Sequence, residues 1–371
     1  MPKVSLFSVS EPRAWAEINL NALRHNLKIA IERGGHPVMA VVKAGAYGHG
    51  LEEIARALAY EPGVAFLGVA NVGEARRITH AGVPAPIYIL GPTWAGERAE
   101  IVAHGWIPCL STLDEARHFN ALAEATGRKL TVHLAVDTGM GRGGFVAAEL
   151  PAMLPALDQF DHLRIDGMGS HLPCADEDHA FTLDQCTVFA EVITATGGPG
   201  RWRWRHLCNS AGLLAYPHGS CNLTRPGLML YGISPVPDDA PLLPVMTLKA
   251  RVTLVRTLPA GHGVSYGRTF ITTRPTRVAT LGIGYGDGYP RHLSNHGAEV
   301  MIHGHRAPVL GRITMDQTMI DVTDIPSATE GDEVEMFGPN IPVAEIAAKS
   351  GTIAWEILTR ITARVTRIHH H

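Results

Sequence analysis

Lys43 is the residue of this chain whose setting most invites chemistry. It stands in AVVKAGAYGHG, residues 40–50, at the carboxyl end of an apolar run. That run reads as a buried strand, and a lysine delivered there loses hydration, which favours its neutral amine. The neutral amine is the nucleophile that condenses with aldehydes, so the stretch reads as a Schiff-base site. Taken singly, Lys43 has a plainer reading as a snorkelling cation. Other polar groups fall at comparable places: Asp137 and Arg142 in DTGMGRGGF, then His171, Asn209, Ser210 and Arg225. By itself His171 reads as a hydrogen-bonded structural histidine and Arg225 as an ion-pair partner. Their shared placement just after apolar runs, gathered from distant parts of the chain, gives the functional reading its weight.

The elements needed to gather them are legible as an alternation. Strand-like runs fall at 37–42, 65–70, 87–90, 107–110, 130–136, 163–167, 205–208 and 223–225. Helical patterns lie between them at 51–59, 72–81, 112–126 and 181–196, and Leu20, Leu23, Leu27 and Ile31 mark an amphipathic helix before the first strand. Eight strands with intervening helices predict an α/β fold, a (β/α)8 TIM-type barrel whose active face is the carboxyl end of its strands. An open doubly wound sheet is the structural rival. After the Pro-rich stretch 235–244 the texture changes to short alternating runs punctuated by Gly and Pro, as in Leu248, Ala250, Val252 and Leu254. This reads as a separate β-rich domain. The expected division is a barrel over 12–240 and a β-rich C-terminal domain over 241–371, with residues 1–11 packing on the latter.

Bulk properties exclude several classes. A net charge of −3 leaves no electrostatic footprint for nucleic acid or an anionic membrane. No apolar run approaches the length of a membrane span, and the N-terminus carries no export signature. Five cysteines without CxxC spacing read as reduced thiols of a cytoplasmic protein. The glycine-rich turn 137–145 does not satisfy a dinucleotide fingerprint. There is no HExxH; His303 and His305 in IHGH are expected to alternate along one strand as a solvated face, and no metal site is expected. The closing His369, His370 and His371 are set aside as a native end or a purification tag. In the second domain, tyrosines sit among glycines in GVSYGRTF and GYGDGYPR; such clusters are commonly packing or interface material.

Together these motifs resemble the alanine racemases, the bacterial pyridoxal-phosphate (PLP) enzymes of the barrel-plus-β-domain type. The resemblance runs from PRAWAEINLNALRHN to the segment around Trp355, nearly the whole chain. AVVKAGAYGHG resembles the family's cofactor-lysine motif, VDTGMGRGGF its arginine turn, HLCNSAG its phosphate-side strand and RPGLMLYG its last barrel strand. VSYGRTF resembles the catalytic-tyrosine motif, and YGDGYPR and GRITMDQ the entrance and substrate-binding loops.

The resemblance implies that Lys43 forms the Schiff base with PLP and that Tyr47, Asn209, Ser210, Gly227 and Leu228 belong to the cofactor site, the phosphate being held by hydroxyls and backbone N–H groups. Arg142 would face the phenolic oxygen and the substrate, with His171 beside the ring. Arg225 would hydrogen-bond the pyridine nitrogen, braced by His206; an arginine cannot give up its proton, so the nitrogen stays unprotonated and transamination is disfavoured. Lys43 and Tyr266 would be the bases on opposite faces of the α-carbon. Tyr285, Met315 and Asp316 would lie near the substrate, in a homodimer whose active sites are shared between subunits. The implied activity is interconversion of L- and D-alanine for peptidoglycan; a broader small-amino-acid racemase acting on serine, a PLP decarboxylase and a non-catalytic PLP carrier are the alternatives. Three departures stand out. Ala135 occupies the place of a family lysine that holds the arginine, Trp355 replaces a tyrosine that contacts the phosphate, and Gly45 replaces an asparagine.

Overall fold

Two units divide the chain: Leu20–Leu243, and a second made of Pro244–His371 with the segment ending at Asn19. The computed structural model describes residues 11–237 and 239–371; residues 1–10, expected to pack on the C-terminal domain, lie outside them. No helix among the described residues is long and apolar enough to cross a membrane.

In the first unit, seven parallel strands follow one another in order: Val38–Val41, Val64–Val69, Ile87–Ile89, Ile107–Leu110, Leu130–Asp137, Leu163–Gly169 and Trp204–His206. Residues 222–226 supply the eighth and close the barrel. On one side Arg225 N–H donates to Cys208 O at 2.9 Å; on the other, Met39 N–H donates to Thr224 O at 2.8 Å and Val41 N–H to Pro226 O at 3.0 Å. The barrel interior is filled rather than open. Met39, Phe66, Tyr88, Ile107, Cys109 and Leu223 pack into one cluster, with Ala135 and Trp204 against it. The crossover helices match the sequence pattern at Leu51–Ala59, Val72–His80, Leu113–Ala125 and His179–Ala195. Arg98–His104, Leu150–Leu157 and Ser210–Ala215 are helices that the periodicity leaves unmarked, being only 7, 8 and 6 residues long.

The second unit is a sheet in the order His305–Pro308, Glu299–Ile302, Glu333–Phe337, Met246–Leu258, Ala14–Asn19, Thr366–His370, with Thr276–Leu281 and Thr318–Asp321 attached through Met246–Leu258. Two expectations change here. Residues 12–19 were expected in the barrel, yet Ala14–Asn19 pairs antiparallel with Met246–Leu258 and parallel with Thr366–His370. Its hydrogen-bonding edges are satisfied by this sheet, and the barrel unit begins at Leu20. His303 and His305 do not alternate along one strand. His303 (φ 49) and Gly304 (φ 78) are the two-residue turn of a hairpin, the left-handed pair that matches strand twist. His369 and His370, set aside above, pair with Ile18 and Asn19.

Candidate functional site

Lys43 opens a turn of unusual backbone. Ala44 (φ 54, ψ 47), Gly45 (φ 64, ψ 38) and Ala46 (φ 56, ψ 53) are left-handed, and Tyr47 follows at φ 51. The turn is closed by i→i+4 bonds, Ala46 N–H to Val42 O at 2.8 Å and Gly48 N–H to Ala44 O at 3.0 Å. A side chain other than glycine's is disfavoured in this conformation, asparagine least so. Glycine at position 45 therefore suits the geometry, and nothing lies within 4 Å of where its Cβ would be.

Glu74, a residue the sequence reading did not single out, holds this turn. Its Oε1 accepts from Gly45 N–H at 3.2 Å and its Oε2 from Ala70 N–H at 2.9 Å. Burial is the main cause that lowers the Lys43 amine below its usual pKa; Arg142 and Arg225 push the same way, and Glu74 opposes them. The amine is thereby moved toward the nucleophilic form.

Arg225 is buried, yet no carboxylate is within hydrogen-bond reach of it among the described residues. Its Nη1 donates to His206 Nδ1 at 2.7 Å and His206 O at 2.8 Å; its Nη2 donates to Ser170 O at 2.5 Å, His171 Nδ1 at 3.1 Å and Leu207 O at 3.1 Å. A desolvated cation held only by carbonyls and imidazoles keeps its capacity for an electron-rich acceptor. Burial, Arg225, Arg142 and Lys43 push the His171 pKa down to about 3. Its ring is neutral at pH 7, and its Nδ1, accepting from Arg225, places the proton on Nε2.

A compact donor cluster lies in the same unit. Ser210 Oγ accepts from Gly227 N–H at 3.0 Å and Met229 N–H at 3.3 Å. Gly227 caps the short turn Leu228–Tyr231, and a Cβ on it would meet the Tyr47 hydroxyl at 2.4 Å. Glycine is what lets that hydroxyl approach the backbone, and burial raises the hydroxyl's pKa, so it stays a donor. Hydroxyls and backbone N–H groups fit a phosphate ester. Asn209 acts differently: its Oδ1 accepts from Gly212 N–H and its Nδ2 donates to Leu172 O. Both ends of the amide are used in capping and tethering, which positions Ser210. Arg142 is exposed and has no hydrogen-bond or ion-pair partner among the described residues. The side chain of Ala135, half-buried on the fifth strand, has no polar atom to offer it.

The remaining expected residues lie in the second unit. Tyr266 is 70% exposed, on a turn whose Ser265 Oγ donates to Arg312 O at 2.5 Å. Tyr285 and Met315 are brought together by Tyr285 N–H to Thr314 O at 3.0 Å and Gly286 N–H to Met315 O at 2.8 Å. Arg364, also missed by the sequence reading, clamps both loops: its Nε lies 3.2 Å from the buried Asp287 and its Nη2 2.6 Å from Asp316. The Asp316 carboxylate is thus engaged by an arginine of its own unit, with Arg13 also at 3.8 Å. Trp355 lies on the helix Ala354–Thr359.

The profile described as alanine racemase, N-terminal domain, matches residues 18–235, and that described as alanine racemase, C-terminal domain, matches residues 245–369. The chain belongs to the alanine racemase family. The alanine racemase of Desulfovibrio desulfuricans is 40% identical over 364 residues, 96% of this chain and 97% of that one. Among solved structures, the alanine racemase of a D-cycloserine-producing Streptomyces lavendulae superposes with a TM-score of 0.89 at 35% identity, over 98% of each chain. The alanine racemase of Bartonella henselae, solved with covalently bound pyridoxal phosphate, gives a TM-score of 0.88 at 31% identity, over 97% of this chain and all of that one. The family resemblance carried by the motifs thus extends to the whole alanine racemase architecture.

Proposed function

We propose that this protein interconverts L- and D-alanine with PLP, using Lys43 and Tyr266 as the two bases. The observation that carries the reading is Arg225, a buried cation without a carboxylate partner among the described residues, in the barrel that delivers the pKa-lowered amine of Lys43. Membership of the alanine racemase family, and the pyridoxal phosphate bound by its Bartonella henselae member, support it.

In this reading the Tyr47 and Ser210 hydroxyls and the Leu228 N–H would hold the phosphate, with the Gly227 N–H shared between Ser210 Oγ and the phosphate. Lys43 Nζ would bond the aldehyde carbon with loss of water until the substrate amine displaces it, which frees the Nζ as a base. When bound, PLP supplies a conjugated ring that delocalises charge from the α-carbon of an attached amino acid. Arg225 donates to the ring nitrogen and gives it no proton, which limits that delocalisation and favours return of the proton over side reactions. His171, neutral, lies beside the ring without competing for a proton. Arg142 orients the phenolic oxygen and the substrate. Lys43 Nζ exchanges the α-proton on one face and the Tyr266 hydroxyl on the other. Tyr266, Tyr285 and Met315 are 70%, 39% and 52% exposed, which supports a homodimer in which each subunit lends these residues to its partner's site. The product would serve peptidoglycan synthesis in the cytoplasm.

Purified protein incubated with L-alanine, with and without added PLP, should yield D-alanine only when the cofactor is present. Lys43→Ala should abolish both the yellow chromophore and racemisation. Tyr266→Phe should keep the chromophore while losing on the order of 10²–10⁴-fold in one direction of proton exchange, as loss of an acid–base group does. A Tyr266→Phe protein with undiminished exchange in both directions would refute the two-base assignment and favour a carrier.

A further inference from the structure

We propose that His133 is a positioning residue for Arg225: by accepting a hydrogen bond at Nδ1 it fixes the tautomer of His206 and so the pose of the guanidinium. The inference rests on the reading that Arg225 faces the cofactor ring.

The chain of contacts has a direction. Arginine carries donors and no acceptor, so the 2.7 Å contact from Arg225 Nη1 to His206 Nδ1 makes that nitrogen an acceptor. His206 must then carry its proton on Nε2. That nitrogen lies 2.9 Å from His133 Nδ1, which therefore accepts, leaving the His133 proton on Nε2 as well. Burial and the charge of Arg225 hold His206 well below its usual pKa, and the same causes push His133 down to about 3. Both rings are neutral, and each has one donor and one acceptor.

The surroundings are shaped for this pair. His133 lies on the fifth strand and His206 on the seventh, with the sixth between them. On that strand Gly167 and Gly169 point to one face. A Cβ on Gly167 would lie 2.8 Å from the His133 ring, and one on Gly169 2.1 Å from the His206 ring. The two glycines open the space that the imidazoles fill. Aromatic rings pack against the pair: Phe66 and Tyr88 contact His133, and Tyr88 also contacts His206.

Among the described residues, His133 Nε2 has no hydrogen-bond partner. An apolar side chain would fill this place without an orphaned N–H, so packing alone does not account for an imidazole. Its acceptor does. A carboxylate here would accept equally well, but it would stabilise His206 as an imidazolium, which could no longer accept from Arg225. A neutral acceptor at position 133 keeps His206 neutral and its Nδ1 lone pair aimed at Arg225.

The test compares His133→Asn, whose Oδ1 can replace Nδ1 as acceptor, with His133→Leu, which has none. Long-range ¹H–¹⁵N correlation on cofactor-free protein reads each tautomer directly. Wild type and His133→Asn should show His206 protonated on Nε2, and His133→Leu should shift it toward Nδ1. In the PLP-loaded enzyme, His133→Leu should lower kcat by roughly tenfold or more, as loss of an outer supporting partner commonly does. KM should change little, and His133→Asn should recover most of the rate. Protonation of His206 on Nδ1 in wild type, which needs no folded variant, would overturn the proposal. So would an unchanged His206 tautomer in His133→Leu. Should the tautomer shift as expected while PLP leaves the Arg225 and His206 signals unmoved, the hydrogen-bond chain stands and the cofactor role of Arg225 fails.

Discussion

Removing the Glu74 carboxylate should both loosen the Lys43 turn and shift the amine. Three non-glycine residues of that turn, Ala44, Ala46 and Tyr47, have φ of 54, 56 and 51. At about 1–2 kcal/mol per left-handed residue the turn carries about 3–6 kcal/mol of backbone strain. Glu74 offsets part of it through its bonds to Gly45 N–H and Ala70 N–H. A hydrogen bond to a charged group contributes about 1.5–3 kcal/mol. Ala70 is exposed, so water can replace the carboxylate at its N–H, and the net loss in Glu74→Ala is that of the Gly45 bond, about 1.5–3 kcal/mol. Urea unfolding of the cofactor-free protein measures this. The same substitution removes the one charge that opposes the lowering of the Lys43 pKa, so the amine should titrate at still lower pH, as read from the pH dependence of its reductive methylation. Glu74→Gln keeps one acceptor but not the charge, so its stability should fall between while its Lys43 titration follows that of Glu74→Ala. A Glu74→Ala protein within about 0.5 kcal/mol of wild type, a difference ordinary for a surface change, with unaltered Lys43 titration would refute the reasoning.

Two further outcomes follow from the same geometry. The Lys43 amine is lowered from 10.5 in the folded protein, so between its folded value and 10.5 the unfolded chain binds the extra proton and stability of the cofactor-free protein rises with pH. Lys43→Met, which has no such proton, should be the more stable protein near pH 7, with the gap closing as pH approaches 10.5; a gap independent of pH in denaturant melts would contradict this. Asp287 is buried, and its Oδ2 accepts from Gly284 N–H at 3.0 Å while Arg364 Nε lies 3.2 Å from its Oδ1. Asp287→Ala should destabilise the fold by about 1–3 kcal/mol and raise KM for alanine more than it lowers kcat, because Tyr285 and Met315 lose their shared anchor. Faster hydrogen exchange at Gly286 N–H would accompany the change, and unchanged exchange would argue against it.

Sequence and tertiary structure divide the explanation at a definite place. The barrel was legible because strands such as Val38–Val41 and Ile87–Ile89 are short apolar runs buried along their whole length and the long helices repeat their apolar positions. Lys43, Arg142, His171, Ser210 and Arg225 were legible because a barrel presents whatever follows its strands on one face. The eighth strand was found for the same reason. The assignment of Ala14–Asn19 was not, because a strand's own pattern says that it will be buried and not which sheet will bury it. Its partners, Met246–Leu258 and Thr366–His370, lie more than two hundred residues away.

The supporting groups were hidden for a related reason. Asn71 and Glu74 stand at the spacing of a helix-capping pair, and Asn71 Oδ1 does accept from Glu74 N–H at 3.0 Å. The glutamate side chain reaches instead to the Lys43 turn, a partner 29 residues away that helical spacing cannot specify. Gly167 and Gly169 mark a close approach on one strand face, but only the closed barrel decides that His133 and His206 fill it. The sequence by itself determined which residues carry reactive groups and the secondary structure that delivers them, since both follow from local composition and periodicity. Which neighbours set their charge, tautomer and backbone strain was decided by tertiary structure alone, because those energies come from contacts between segments that share no local pattern.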